Sequence, residues 1–434
     1  MALQFQLERS QWLTPDELRL LQFQQLDLLF RHACTTVPLY RQRFTGRFSV
    51  SLKAEHPIEQ LQNIWQQIPL LTRTDLAEQH DKLVSTSIPK QHGKISEKET
   101  SGSSGTRLKI SDTAANGLLW QSITLREHLW HQRYFPETYV GIRSGRYASD
   151  PNEVKQSASW GPSTGSIFRT GTSASMYNRM SIENQAKNLV TLDPGYILGY
   201  PSNLQILGKY LKQNGIALPR LRQILTYGEM LLPESRVSCH ESWGVDIADI
   251  YSCEEVGYIA IQCPENEHYH IQSEANLVEV LGDDDNQCKP GEIGRVVVTS
   301  LHNFAMPIIR YDIGDYVEVG DACECGRGLP VIKRILGRQR NRVRGLDGKR
   351  YWPDLSPEVW SEYAEVEELR LIQDAEDHIE IHILSRCDLE TKQANELGEK
   401  LMQSLGEAFR FTIFYDRERQ RPPSGKYQRF ICLV

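Results

Sequence analysis

Leu18, Leu21, Leu28 and Leu29 follow Thr14-Pro15-Asp16-Glu17 at helix-like spacing. A threonine N-cap, a proline in the first turn and a glutamate three residues on make a capping-box start, so the pattern predicts a scaffold helix here. From about residue 100 to 335 the pattern changes to short apolar runs, such as Gly294-Arg295-Val296-Val297-Val298, mixed with helical periods and Gly-rich turns. That mixture predicts a large α/β domain. Gly337-Arg338-Gln339-Arg340-Asn341-Arg342 has no apolar core position and reads as an exposed connection. Beyond it, Ile379, Ile381 and Ile383 alternate with polar residues, Leu397, Leu401 and Leu405 repeat at helical spacing, and Phe409, Phe411 and Ile413 alternate again. The end of the chain is therefore expected to be a small α+β unit.

Composition narrows the class. With 434 residues, 40% hydrophobic and 24% charged, the chain can bury a sizeable core and is neither fibrous nor low in complexity. A net charge of −7 argues against a protein that coats nucleic acid. No stretch approaches the ~18 apolar residues of a membrane span, and the start MALQFQLERSQW lacks a signal-peptide pattern, so a cytoplasmic protein is expected. Nine cysteines, an odd number in a long chain, fit reduced thiols better than a disulfide framework.

Four segments carry candidate chemistry. Thr100-Ser101-Gly102-Ser103-Ser104-Gly105-Thr106, followed by Arg107 and Lys109, can aim N–H groups and hydroxyls at phosphate oxygens. It lacks the Gly-Lys-Ser/Thr ending of a Walker loop, and a surface linker has a similar composition. Asp249-Ile250-Tyr251-Ser252-Cys253-Glu254-Glu255-Val256-Gly257 sets two carboxylates after a strand-like approach. A carboxylate there can hold Mg²⁺ beside a phosphate and Tyr251 can stack on a base; a solvated turn is the plain alternative. Arg310-Tyr311-Asp312-Ile313-Gly314-Asp315 offers Asp315 beside a glycine turn, as an acceptor for ribose hydroxyls or as ordinary surface. Pro422-Pro423-Ser424-Gly425-Lys426 sets a lysine behind a rigid turn, either a surface lysine or a cation that meets charge developing in a reaction. Separately, Cys263, His268, His270, Cys323 and Cys325 supply three thiols and a choice of imidazole, the donor types of a structural Zn²⁺ site or simply scattered buried cysteines.

In their order and spacing these segments resemble the adenylate-forming superfamily of acyl-CoA synthetases, peptide-synthetase adenylation domains and luciferases, and within it the phenylacetate–CoA ligase-like and capsule-biosynthesis branch. His32-Ala33-Cys34-Thr35-Thr36-Val37-Pro38-Leu39-Tyr40-Arg41 and Ile68-Pro69-Leu70-Leu71-Thr72-Arg73-Thr74-Asp75 are similar to opening phrases of that branch. The resemblance implies an α/β fold with a large ATP- and acid-binding domain of mixed sheets and helices over 1–336, a hinge over 337–342, and a mobile α+β domain over 343–434 that carries a catalytic lysine. It implies ATP-dependent adenylation of a carboxylic acid, with an aryl acid as the family-level expectation, then transfer to a thiol, coenzyme A first. Transfer to a carrier protein, a sugar or an amine, or a catalytically weak scaffold, are the alternatives.

By position, Ser101, Gly102, Ser103, Ser104, Gly105 and Thr106 match the family's phosphate loop, and Tyr227-Gly228-Glu229 its adenine-lining turn. Tyr251 matches the adenine-stacking aromatic, Glu255 the Mg²⁺-associated glutamate and Asp315 the ribose-binding aspartate. Arg338 matches the arginine that contacts the nucleotide, and Lys426 the lysine of the adenylation step. The zinc ligands implied are Cys263, His270, Cys323 and Cys325, with His268 as the alternate. Three departures stand out. Glu254 replaces the hydroxyl that faces the α-phosphate, Arg340 replaces the usual acidic residue or lysine of the hinge, and Arg107 replaces a common proline.

Overall fold

The computed structural model describes residues 1–44, 57–100, 107–144, 150–353, 355, 359–360, 362–363, 366–418 and 426–434. Among these residues the organising element is a 12-stranded sheet whose halves are connected differently. Ser173–Tyr177, Tyr139–Arg143, Tyr196–Gly199, Gln223–Tyr227 and Asp246–Cys253 lie side by side and parallel. Parallel neighbours need crossovers, and the helices Ile182–Leu192, Pro201–Gln213 and Pro233–Trp243 provide them. After Cys253 the chain reverses through Glu254-Glu255 into the antiparallel strands Gly257–Gln262, Tyr269–Ile271, Val331–Arg338, Tyr311–Val319, Ile293–Ser300 and Asn276–Leu281. Asp246–Cys253 is thus the strand where the sheet changes character, and the ends of its parallel neighbours open a crevice of the kind that receives ligands in α/β sheets.

The helix Pro15–Thr36 begins as its capping box requires: the Thr14 N–H donates to Glu17 Oε2 at 2.8 Å and the Glu17 N–H to Thr14 Oγ1 at 3.3 Å. Leu18 and Leu29 are buried, but Leu21 and Leu28, grouped with them by spacing, are 46% and 58% exposed. The inner stripe is instead completed by Phe23, Leu26, Phe30 and Ala33, which pack toward Val296, Val298 and Ile308.

A second sheet, ordered Arg410–Asp416, His378–Leu384, Glu368–Ala375, Phe430–Cys432, lies in the last part of the chain with the helix Thr391–Ser404. Ile379, Ile381, Ile383, Leu397, Leu401 and Leu405 meet there in an apolar cluster of their own. Residues 337–342 are not the exposed connection expected: only Gln339 among them is exposed. Gly337 and Arg338 finish a strand opposite Tyr316 and Asp315, and the Arg342 guanidinium lies over the Tyr316 ring at 5.3 Å. Arginine stems cover apolar surface while their heads find carboxylate or ring partners, which a count of apolar positions does not register. All nine cysteines are free thiols. Among the described residues no helix is long and apolar enough to cross a membrane.

Candidate active site

Tyr227 ends its strand at the crevice, and Gly228 follows with φ of +74°. A Cβ on Gly228 would lie 3.0 Å from Tyr200 Cε1 and 3.5 Å from Lys426 Cε, so the turn needs glycine both for its left-handed backbone and for closeness. The carboxylate of Glu229 accepts from the Ser202 N–H and hydroxyl, each at 3.1 Å, and from the Tyr427 N–H at 2.5 Å. One side chain therefore joins the start of the helix Pro201–Gln213 to the residue after Lys426. Arg429 pairs with Glu234 at 2.8 Å, and Asn341 Nδ2 donates to the Phe430 carbonyl at 2.6 Å. These contacts seat the C-terminal segment so that Lys426 lies half-buried over Gly228. Burial, then the nearby Arg338, push the Lys426 ammonium below the usual lysine range, against the pull of Asp315, Glu229 and Glu255.

Across the crevice the Tyr251 hydroxyl donates to Asp315 Oδ2 at 3.0 Å, and Arg338 Nε lies 3.3 Å from Asp315 Oδ1. Asp315 sits within the strand Tyr311–Val319, directly opposite Arg338, and not in a surface turn. The Tyr251 ring is buried in the main apolar core, and burial together with Asp315 raises its phenol well above the ordinary value. Glu255 pairs with Arg73 at 3.2 Å and keeps only 9% of its side chain exposed, whereas Glu254 beside it is exposed. Arg73 stands in the first turn of Arg73–Glu78, whose start is fixed by a Thr72/Asp75 capping box. Arg340 is lowered by burial, then by Arg338 and Arg73.

Tyr227, Gly228, Glu229, Tyr251, Glu255, Asp315, Arg338 and Lys426 thus converge on one crevice. Ser101 to Thr106 lie outside the described residues, as do Ser424 and Gly425. The strands flanking that loop, Ile95–Glu99 and Lys109–Thr113, pair with Glu99 opposite Lys109. Arg73, Ser202, Glu234 and Arg429 were not picked out from the sequence. The Thr72-x-x-Asp75 box was a readable signal for Arg73, but nothing local announces the Glu234–Arg429 pair.

The thiols and imidazoles also gather. Cys263, His268, His270 and Cys323 offer donor atoms within 4.8 Å of one another, with the two sulfurs 3.8 Å apart. His268, the expected alternate, belongs to this group, while Cys325 stands beside it with Sγ 3.4 Å from His270 Nε2. Among the described residues His268 Nε2 is buried without a hydrogen-bond partner, an orphaned nitrogen that a metal would satisfy. Thiolate and imidazole donors suit Zn²⁺.

No family model matches the chain. The phenylacetate–coenzyme A ligase of Pseudomonas putida is 23% identical over 394 residues, covering 86% of this chain and 83% of that protein. That of Thermus thermophilus is 29% identical over 174 residues, a stretch spanning 38% of this chain and 39% of that protein. Protein CapK of Staphylococcus aureus is 22% identical over 360 residues, 80% of this chain and 74% of the other. Among solved structures, a 2-hydroxyisobutyryl-CoA ligase in its postadenylation state with 2-HIB-AMP has the same fold, with a TM-score of 0.72 at 17% identity over 95% of this chain and 88% of that one. The same ligase in its thioesterification state gives 0.61 at 16% identity over the same shares, 95% and 88%. Together with the ordered motifs and the crevice they share, these likenesses agree: the chain is similar to the phenylacetate–coenzyme A ligase-like branch of the adenylate-forming superfamily and has the fold of its solved CoA ligases.

Proposed function

We propose that this protein activates a carboxylic acid with ATP and passes the acyl group to the thiol of coenzyme A. The observation that carries the reading is Lys426 lying over Gly228, beside the Tyr251–Asp315–Arg338 set and Glu255. In the first half-reaction the acid's carboxylate oxygen attacks the α-phosphorus and the bond to pyrophosphate breaks. Lys426 bridges carboxylate and α-phosphate, while Asp315, held between Tyr251 and Arg338, accepts from the ribose hydroxyls and Tyr227-Gly228-Glu229 lines the adenine. Glu255 would hold Mg²⁺, being an oxygen donor of the type this ion takes, and Arg73, paired with it at 3.2 Å, sets a cation beside it. Mg²⁺, when bound, would supply charge neutralisation to the leaving pyrophosphate, and Ser101 to Thr106 are read as N–H and hydroxyl donors to its oxygens. Glu254 is exposed, so water screens much of its repulsion toward the α-phosphate.

In the second half-reaction the thiol displaces AMP, and Lys426 must then make way. The 343–434 unit is read as mobile about 337–342, with Glu229 and Glu234 as the contacts it releases. The higher TM-score with the postadenylation state than with the thioesterification state, 0.72 against 0.61, supports the present arrangement as the adenylating one. A structural Zn²⁺ would be held by four of Cys263, His268, His270, Cys323 and Cys325, and would tie the end of the strand Gly257–Gln262 to the turn before Val331. A cytoplasmic place, where ATP and coenzyme A occur together, belongs to the same reading.

The test is acid-dependent ATP–pyrophosphate exchange over a panel of acids, followed by AMP release with and without coenzyme A. Exchange with some acid and thiol-dependent release of AMP are expected. Exchange with none would leave a binding scaffold, and release driven only by an amine or a carrier protein would move the acceptor. Elemental analysis should find one zinc per chain, and its removal should lower the melting temperature; the absence of stoichiometric metal would remove that site.

A further inference from the structure

Arg143 ends the strand Tyr139–Arg143, beside the crevice. Gly141 pairs with Leu198, so Arg143 stands level with Tyr200; Gly199 pairs with Thr226, which sets Tyr200 level with Tyr227. Strand alternation sends Tyr139, Gly141 and Arg143 to one face, where Tyr139, Tyr227 and Tyr258 pack with residues of the helix Ala114–Trp130. The bare α-carbon of Gly141 shapes this face: a Cβ there would come 3.0 Å from Arg143 Nε. The side chain therefore folds back over the glycine. It lies close enough to Tyr139, Tyr200, Tyr227 and Tyr258 that each phenol, raised first by burial, is eased back by its charge. Arg143 itself remains exposed, and no carboxylate among the described residues pairs with it.

Lys426 occupies the other end of this wall. The Tyr200 and Tyr227 rings stand 4.9 Å apart between the two cations, and two strand spacings separate Arg143 from the Gly228 turn, roughly 9–10 Å. Resting on the adenylation reading, we propose that the acid carries a second anionic group, which Arg143 holds while Lys426 holds the carboxylate being activated. The two tyrosine rings line the space between the cations, which suits a flat or extended acid with an anion at each end. An acid with an uncharged tail would strip water from the guanidinium and give nothing back, so the same residue selects against it.

The test compares matched acids, para-carboxyphenylacetate with phenylacetate and adipate with hexanoate, by pyrophosphate exchange in the wild type, Arg143→Lys and Arg143→Met. The wild type should favour each diacid by about tenfold or more in kcat/KM, Arg143→Lys should keep that order, and Arg143→Met should reverse it. A wild-type preference for uncharged tails, or a diacid preference unchanged in Arg143→Met, would overturn the inference alone. No exchange with any acid in the wild type would overturn the adenylation reading and this inference with it. If Arg143→Met does not fold, as judged by its melting curve, Arg143→Gln decides by the same ratio.

Discussion

The chain builds two charge clusters against the same sheet. Behind the crevice, Arg133 grips Glu127 with bonds of 2.5 and 2.6 Å, gives its Nε to Gln223 at 3.0 Å and lies 2.8 Å from His128 Nδ1. Its side chain and that of Glu127 are 0% and 1% exposed. Burial alone would raise the Glu127 carboxyl, but Arg133 overrides it and holds the group at about 2; His128 and His131 are pushed by burial to about 3 and about 4 and stay neutral at pH 7. One cation meets one anion, and the set is complete without a ligand. In the crevice Arg73, Arg338, Arg340 and Lys426 crowd Glu229, Glu255 and Asp315, and after burial it is Arg338 that depresses both Arg340 and Lys426. Both clusters are largely buried, so burial does not separate a structural cluster from a functional one. Like-charge crowding does: cations pressed against one another, as Arg338 is against Arg340 and Lys426, become favourable when a polyanion enters.

The comparison breaks most visibly at Arg133. Arg133→Leu leaves Glu127 buried without its partner and should lower stability by about 3–5 kcal/mol, read from denaturant or thermal unfolding. A loss near zero would mean the cluster relaxes into water. In the crevice the mirror change, Asp315→Asn, should leave the melting temperature nearly unchanged and raise the KM for ATP by about tenfold to a hundredfold, the worth of a hydrogen bond to a charged group. An equal loss of stability in the two variants would erase the distinction.

Acid sharpens it further. The folded-state values of His128 and His131 lie below the ordinary 6.5, so their contribution is complete above pH 6.5 and is lost as the pH falls toward about 3 and about 4. Melting temperature should decline over that window, and His128→Gln should flatten the decline. The smallest effect belongs to Arg429→Ala, which removes a partly exposed pair with Glu234 worth about 0.2–1 kcal/mol. Pyrophosphate exchange should fall a few-fold, while transfer from a supplied acyl-adenylate to coenzyme A should not.

Local signals were legible in the sequence because their partners are close along the chain. The Thr14/Glu17 box and the alternation of Ile379, Ile381 and Ile383 appear where the pattern puts them. Glu229 as a clamp was not legible, since Tyr427 is 198 residues away. The strand setting of Asp315 escaped for a related reason: its pairing with Arg338 is a matter of register, and Asp-Gly composition points to turns whatever the register. The exposure expected of 337–342 came from its lack of apolar positions, but Arg338 and Arg342 find their partners, Asp315 and Tyr316, on the neighbouring strand.

On the proposed reading Lys426 acts in adenylation and not in thiol transfer, and one paired measurement separates the two. Wild type and Lys426→Ala are compared in acid-dependent pyrophosphate exchange and, separately, in conversion of a synthetic acyl-adenylate to the coenzyme A thioester. Lys426→Ala should lose about 10²–10³ in exchange while transfer stays near the wild-type rate. Because the burial-lowered Lys426 must be protonated to act, wild-type exchange should also fall on the alkaline side below pH 10.5, with no such fall in transfer. Unchanged exchange in Lys426→Ala, or equal loss of both half-reactions in a folded variant, would contradict it.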